Sequence, residues 1–123
     1  MSRKVEEETV EDNPVGREEY IYKVLTAYRQ TPATAGTIRR PDRLLAAQLH
    51  ARGVPLHAVE NALVLAASRR LLRPANAPPL GTIRSLAYFL PVIDEVLDLT
   101  ISQDYFRYLR RKIQPFLQKS NTL

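Results

Sequence analysis

The 123-residue sequence contains no cysteine, no tryptophan, four glycines and two histidines. Without cysteine, disulfide scaffolds, thiol catalysis, iron–sulfur clusters and cysteine-based zinc sites are excluded. His50 and His57 have no paired carboxylates at ligand spacing beside them, so no metal site is expected. The glycines are too few for a phosphate-cradling loop, and no serine stands in a nucleophile-elbow context. The expectation is a non-enzymatic protein with no cofactor. No stretch approaches the roughly 18 apolar residues of a membrane span, and residues 1–9 lack a signal peptide's apolar region. A cytoplasmic protein with no membrane partner is expected.

What the chain does have is arginine. The formal net charge is +5, with 14 arginines against 4 lysines. That average hides a division. Residues 1–12 hold Glu6, Glu7, Glu8, Glu11 and Asp12 against Arg3 and Lys4, a net of −3, which leaves +8 on residues 13–123. Arginine presents a planar fork that holds phosphate bidentately, so the surplus makes nucleic acid the leading partner, DNA ahead of RNA. Coding bias toward arginine produces the same composition, and basicity by itself speaks only to non-specific association.

Residues 1–15 are polar and acidic and end on the turn signal Asn13-Pro14-Val15-Gly16, which reads as a disordered tail before a helical domain over 16–119. The first helix is expected from Arg17 to Gln30, where Tyr20, Ile21, Val24, Leu25 and Tyr28 recur with a 3.6-residue period. Thr31-Pro32 stops it. A second helix starts near Pro41 or Asp42 and runs to about Arg52, with Gly53 as its left-handed cap. A third spans roughly Leu56 to Leu72, and its middle is apolar all round, the mark of a buried central helix. Residues 74–84 are a proline-rich connector. A fourth helix, capped by Ser85, reaches about Leu99 and carries Pro91, which predicts a kink or a break into two pieces. Asp94, Glu95 and Asp98 crowd its C-terminal end against the helix dipole, calling for basic groups from another helix. A fifth helix extends from near Ser102 to about Gln118 with Tyr105, Phe106, Leu109, Ile113, Phe116 and Leu117 inward. Residues 120–123 are expected to fray. Nothing alternates with period two, so the fold class is all-α, a single-domain bundle of about five helices. The tetrapeptide Gly-Thr-Ile-Arg at 36–39 recurs at 81–84, each copy leading into a helix, without further matches at that spacing.

Three constellations are candidates for function. The segment from Leu44 to Leu63 resembles a helix–turn–helix: Gly53 at the turn, then Val59 and Leu63 locking the second helix onto the first. That resemblance implies that His57, Ala58, Glu60 and Asn61 lie on an exposed recognition face, with Asn61 able to read adenine and His57 a base edge or phosphate. A plain helical hairpin accounts for the same residues. On the fifth helix, Arg107, Arg110 and Arg111 stand opposite the apolar stripe at a spacing that follows a phosphate backbone. Arg39, Arg40 and Arg43, with Arg84, border helix starts, where free N–H groups favour anions. The expected function is an accessory protein of a replication, mobile-element or defence assembly that binds nucleic acid mainly through phosphates. The alternative is a protein-binding adaptor or self-associating scaffold subunit, using Tyr88, Tyr105, Tyr108 and the acidic cluster near Asp94.

Overall fold

Five helix-forming stretches become five α-helices and one 3-10 turn in the computed structural model, which describes residues 16–98 and 103–121. Helix α1, Arg17–Gln30, buries Tyr20, Val24, Leu25 and Tyr28 along one stripe. Thr31 closes it, its hydroxyl donating to the Ala27 carbonyl at 2.8 Å. Helix α2, Arg40–Ala51, carries Pro41 in its first turn and buries Asp42, Ala46 and Leu49. It ends in a Schellman motif: Gly53 at φ +77° donates to the His50 carbonyl at 2.9 Å, and Val54 to the Leu49 carbonyl at 3.0 Å. Only glycine reaches that φ without a Cβ penalty, which is why the helix stops there.

Helix α3, Leu56–Leu71, is buried on nearly every side, as its continuous apolar middle requires. It packs chiefly against α4 (Leu90–Asp98) and α5 (Gln103–Asn121), and also against α1. The Pro91 break takes a definite form. Ser85 caps a 3-10 turn over Leu86–Phe89, its hydroxyl accepting from the Ala87 amide at 2.9 Å, and α4 begins afresh at Leu90. Pro91 then occupies a first-turn position, where its missing N–H costs nothing. One core unites Tyr20, Leu49, Val59, Phe89 and Ile93 from α1 to α4, and a second cluster joins Leu65 of α3 to Phe106 and Leu109 of α5.

No described residue belongs to a strand, and the only β contact among the described residues is an isolated bridge between Thr34 and Ile83. Ile83 sits between two loop segments, donating to the Ala33 carbonyl and accepting from the Ala35 amide, both at 2.8 Å. The two Gly-Thr-Ile-Arg copies therefore lie in neighbouring loops, and the Arg39 guanidinium donates to the Arg84 carbonyl at 3.2 Å. They do not head a repeated unit, since one leads into a helix of 12 residues and the other into a 3-10 turn of 4.

The expected boundaries need small corrections. Helix α5 continues to Asn121, through the first two of the residues expected to fray. The acidic tail, residues 99–102 and residues 122–123 lie outside the described residues. No described helix is long and apolar enough to cross a membrane.

Helices α2 and α3 make little direct contact with each other, so their packing gives the helix–turn–helix resemblance no support. Each docks instead on α1, whose Tyr20 hydroxyl donates to the Val54 carbonyl at 2.7 Å and whose Tyr20 ring meets His50 edge-on at 5.0 Å.

Candidate nucleic-acid interface

The sequence Arg39-Arg40-Pro41-Asp42-Arg43 opens α2, and its aspartate organises the surroundings. Asp42 is only 2% exposed. One carboxylate oxygen accepts from the Arg39 amide and the other from the Leu86 amide, each at 2.9 Å. A single buried carboxylate thus ties the start of α2 to the start of the 3-10 turn, 44 residues later. This brings the Arg84 backbone, just before Ser85, beside Arg39, in the segment that also carries Arg40 and Arg43. All four side chains are exposed. Arg39 is held by the Arg84 carbonyl, whereas Arg40, Arg43 and Arg84 have no carboxylate partner among the described residues. Arg29, at the end of α1, lines the same groove as Arg43 and is likewise unpaired there.

The free N–H groups that a ligand anion would use at this helix start are taken up in part by the protein's own Asp42. What remains for a partner is the arginine side chains. Beneath them, Tyr28 is fully buried, and its hydroxyl has no hydrogen-bond partner among the described residues. Burial pushes its pKa up, the Asp42 charge adds to that, and Arg39 opposes it.

The arginines of α5 are placed differently from the expectation. The inward face consists of Phe106, Leu109 and Ile113, while Tyr105 and Phe116 are 47% and 44% exposed. Counting those two as inward rotates the stripe away from Arg110, which sets Arg110 on the opposite side. In the fold Arg110 lies on the flank of the buried face, half-buried, donating to the Asn61 side-chain oxygen at 2.9 Å. Arg107 pairs with Asp104 on its own helix at 2.6 Å. Arg111 alone points outward without an ion pair among the described residues. Lys112 lies 5.9 Å from the Tyr108 ring.

Asn61 is the second correction. It is 3% exposed, under α5, and Ala58 is equally buried. Of the four residues assigned to an outward recognition face, His57 is exposed and Glu60 half-buried. The reason is the amphipathic pattern: α3 is covered by helices on nearly every side, so a polar residue in its first two turns is not thereby exposed.

The acidic cluster finds the basic groups it calls for. Arg69 grips Glu95 with two hydrogen bonds, 2.9 and 2.5 Å, and Arg52 approaches Asp94 at 3.9 Å. The Arg69 bonds hold the Glu95 carboxyl below its ordinary range. Arg70 and Arg73 close the proline-rich connector, donating to the carbonyls of Gly81 and Pro78, both at 2.6 Å. Arg70 also reaches the Tyr88 hydroxyl at 3.1 Å. No protein-family model, curated protein or solved structure matches the chain, so its function is read from these residues alone.

Proposed function

We propose that this protein is a non-enzymatic helical module that binds nucleic acid through its phosphates, with Arg40, Arg43, Arg84 and Arg29 as the main contacts and Arg39 beside them. The observation that carries the reading is the absence of carboxylate partners for these exposed arginines among the described residues. The one carboxylate in their midst, Asp42, is buried and spent on backbone amides. Arg107 and Arg111 of α5 are secondary contacts. With Asn61 covered by Arg110, the exposed His57 is all that α3 keeps for a base edge or phosphate, and phosphate contacts alone carry no sequence information. DNA is the first partner to test, in an accessory role within a larger nucleoprotein assembly.

Fluorescence anisotropy against duplex DNA, single-stranded DNA and RNA tests this. About four phosphate contacts give a log–log salt slope of about −3.6 on duplex, so affinity falls on the order of 150-fold between about 50 and about 200 mM salt. The triple reversal Arg40→Glu, Arg43→Glu, Arg84→Glu abolishes binding, while Arg107→Glu with Arg111→Glu weakens it. Absence of binding at the lower salt overturns the proposal, and full loss from the α5 pair alone moves the contact surface to that helix. One observation favours a second reading, a protein-binding adaptor: Tyr105 and Tyr108 lie 6.4 Å apart, stacked, on the outer side of α5 with Phe116 also exposed. In that case charge reversal at the arginines leaves partner binding intact.

A further inference from the structure

Between α1 and α2 runs a groove of about 300 Å³, with Ile21, Tyr22, Leu25 and Ile38 along it and Arg29 and Arg43 on its rim. The two helices are antiparallel: Tyr20 meets His50 near one end, and Asp42 acts on Tyr28 near the other. The groove therefore starts beside Glu18, where the chain enters α1, and finishes at the arginine cluster. Its near end is neutral, because Glu18 pairs with Arg17 at 3.0 Å and Glu19 with Lys23 at 3.1 Å. Its far end is cationic, since Arg29 and Arg43 have no carboxylate among the described residues. Tyr22, 69% exposed, leaves an aromatic face uncovered midway.

The segment that enters α1 is complementary to this gradient. It carries Val10 next to Glu11 and Asp12, and Glu6, Glu7 and Glu8 further back. The reach fits. From Gly16 back to Thr9 the extended chain spans about 24 Å, and the axis of α1 from Arg17 to Arg29 rises about 18 Å. A chain doubling back along the groove would run past Tyr22 and Leu25, with its acidic residues within reach of Arg29 and Arg43.

We infer that residues 5–12 form an acidic arm that docks into the α1–α2 groove of its own chain and covers Arg29 and Arg43. The arm occupies the cationic surface that a polyanion would use, so it acts as an intramolecular competitor. That consequence rests on the function proposed above; the docking itself does not.

The absence of cysteine makes the test direct. Thr9→Cys, which leaves every charge of the arm in place, carries a single nitroxide on isotope-enriched full-length protein. The amides of Thr26, Arg29, Ile38 and Arg43 are expected to lose most of their intensity, with Leu72 and Phe116 unaffected. Raising salt to about 1 M, where the Debye length is about 3 Å, restores much of the signal, and so does the exposed pair Arg29→Glu with Arg43→Glu. Absent or evenly spread loss overturns the inference. A mixture of spin-labelled, unenriched protein with unlabelled, enriched protein reproduces the loss only if a second copy supplies the arm, which overturns the intramolecular assignment. None of these readouts requires nucleic acid. If duplex binding is present, deleting residues 1–12 tightens it several-fold.

Discussion

Tyr20 and Tyr28 stand two turns apart on the same face of α1, both with 0% exposure, yet the same substitution has opposite expected signs at the two positions. The Tyr20 hydroxyl donates to the Val54 carbonyl at 2.7 Å, and Val54 is itself buried. Tyr20→Phe removes the donor and strands the carbonyl, at a cost of about 1.5 kcal/mol. The Tyr28 hydroxyl has no partner among the described residues, so its desolvation is uncompensated. Tyr28→Phe keeps the edge-on packing against Phe89, with ring centroids 6.1 Å apart, and discards the unpaired hydroxyl. It is expected to stabilise the fold by about 1 kcal/mol. The difference between two chemically identical changes is then about 2.5 kcal/mol, and the double variant falls near the sum. Urea denaturation followed by circular dichroism checks this: the midpoints shift in opposite directions by several tenths of a molar to about 1 M, with slopes unchanged. Equal destabilisation by both substitutions would refute the hydrogen-bond accounting.

Two further outcomes follow from the same core and its cap. Burial, opposed weakly by Arg52, raises the Tyr20 pKa from 10.0 to about 12, so the unfolded chain ionises first as pH rises. Stability is fully present below pH 10 and falls between pH 10 and 12 by up to about 2.7 kcal/mol, a loss that urea midpoints show and that Tyr20→Phe largely removes. Asp42→Ala strands the Arg39 and Leu86 amides and costs about 3 kcal/mol. Asp42→Asn recovers only part of this because its amide offers one acceptor, and Ser85→Ala costs about 1 kcal/mol; thermal melts in that order check the ranking.

Local chemistry made most of the helices legible. Thr31-Pro32 ends α1, Pro41 opens α2, Gly53 closes it, and Pro91 splits the fourth helix, each through a backbone restriction that needs no tertiary partner. The buried character of α3 was legible as well, because an apolar run without a polar face has nowhere else to go. Side-chain pairing across long sequence separations was not. The cluster at Asp94 called for basic groups from elsewhere, but nothing local singled out Arg69, 26 residues before Glu95, or Arg52. The orientation of α5 failed for a different reason. Tyr105 and Phe116 are aromatic enough to read as core, and an amphipathic ring at a stripe's edge leaves its inward side undetermined. The same ambiguity misplaced Arg110, whereas Asn61 was misplaced by the helix–turn–helix resemblance on a helix that is covered on nearly every side.

These misplacements bear on where a cationic protein keeps its charge available. Arginines spaced along a helix face match a phosphate backbone on paper, but a helix also offers them acids three residues away, as Asp104 does for Arg107, and buried acceptors on the next helix, as Asn61 does for Arg110. Arginines clustered at helix starts fare differently here. The carboxylate nearest them, Asp42, is drawn inward by two backbone amides that have no other partner, and its burial removes it from competition for the guanidinium groups. The same two hydrogen bonds bring Arg84 from a distant loop to Arg39, at the start of the helix that carries Arg40 and Arg43. Concentration of charge and removal of its neutralising partner are thus one structural event. The cationic patch belongs to the folded state, and composition alone could not have located it.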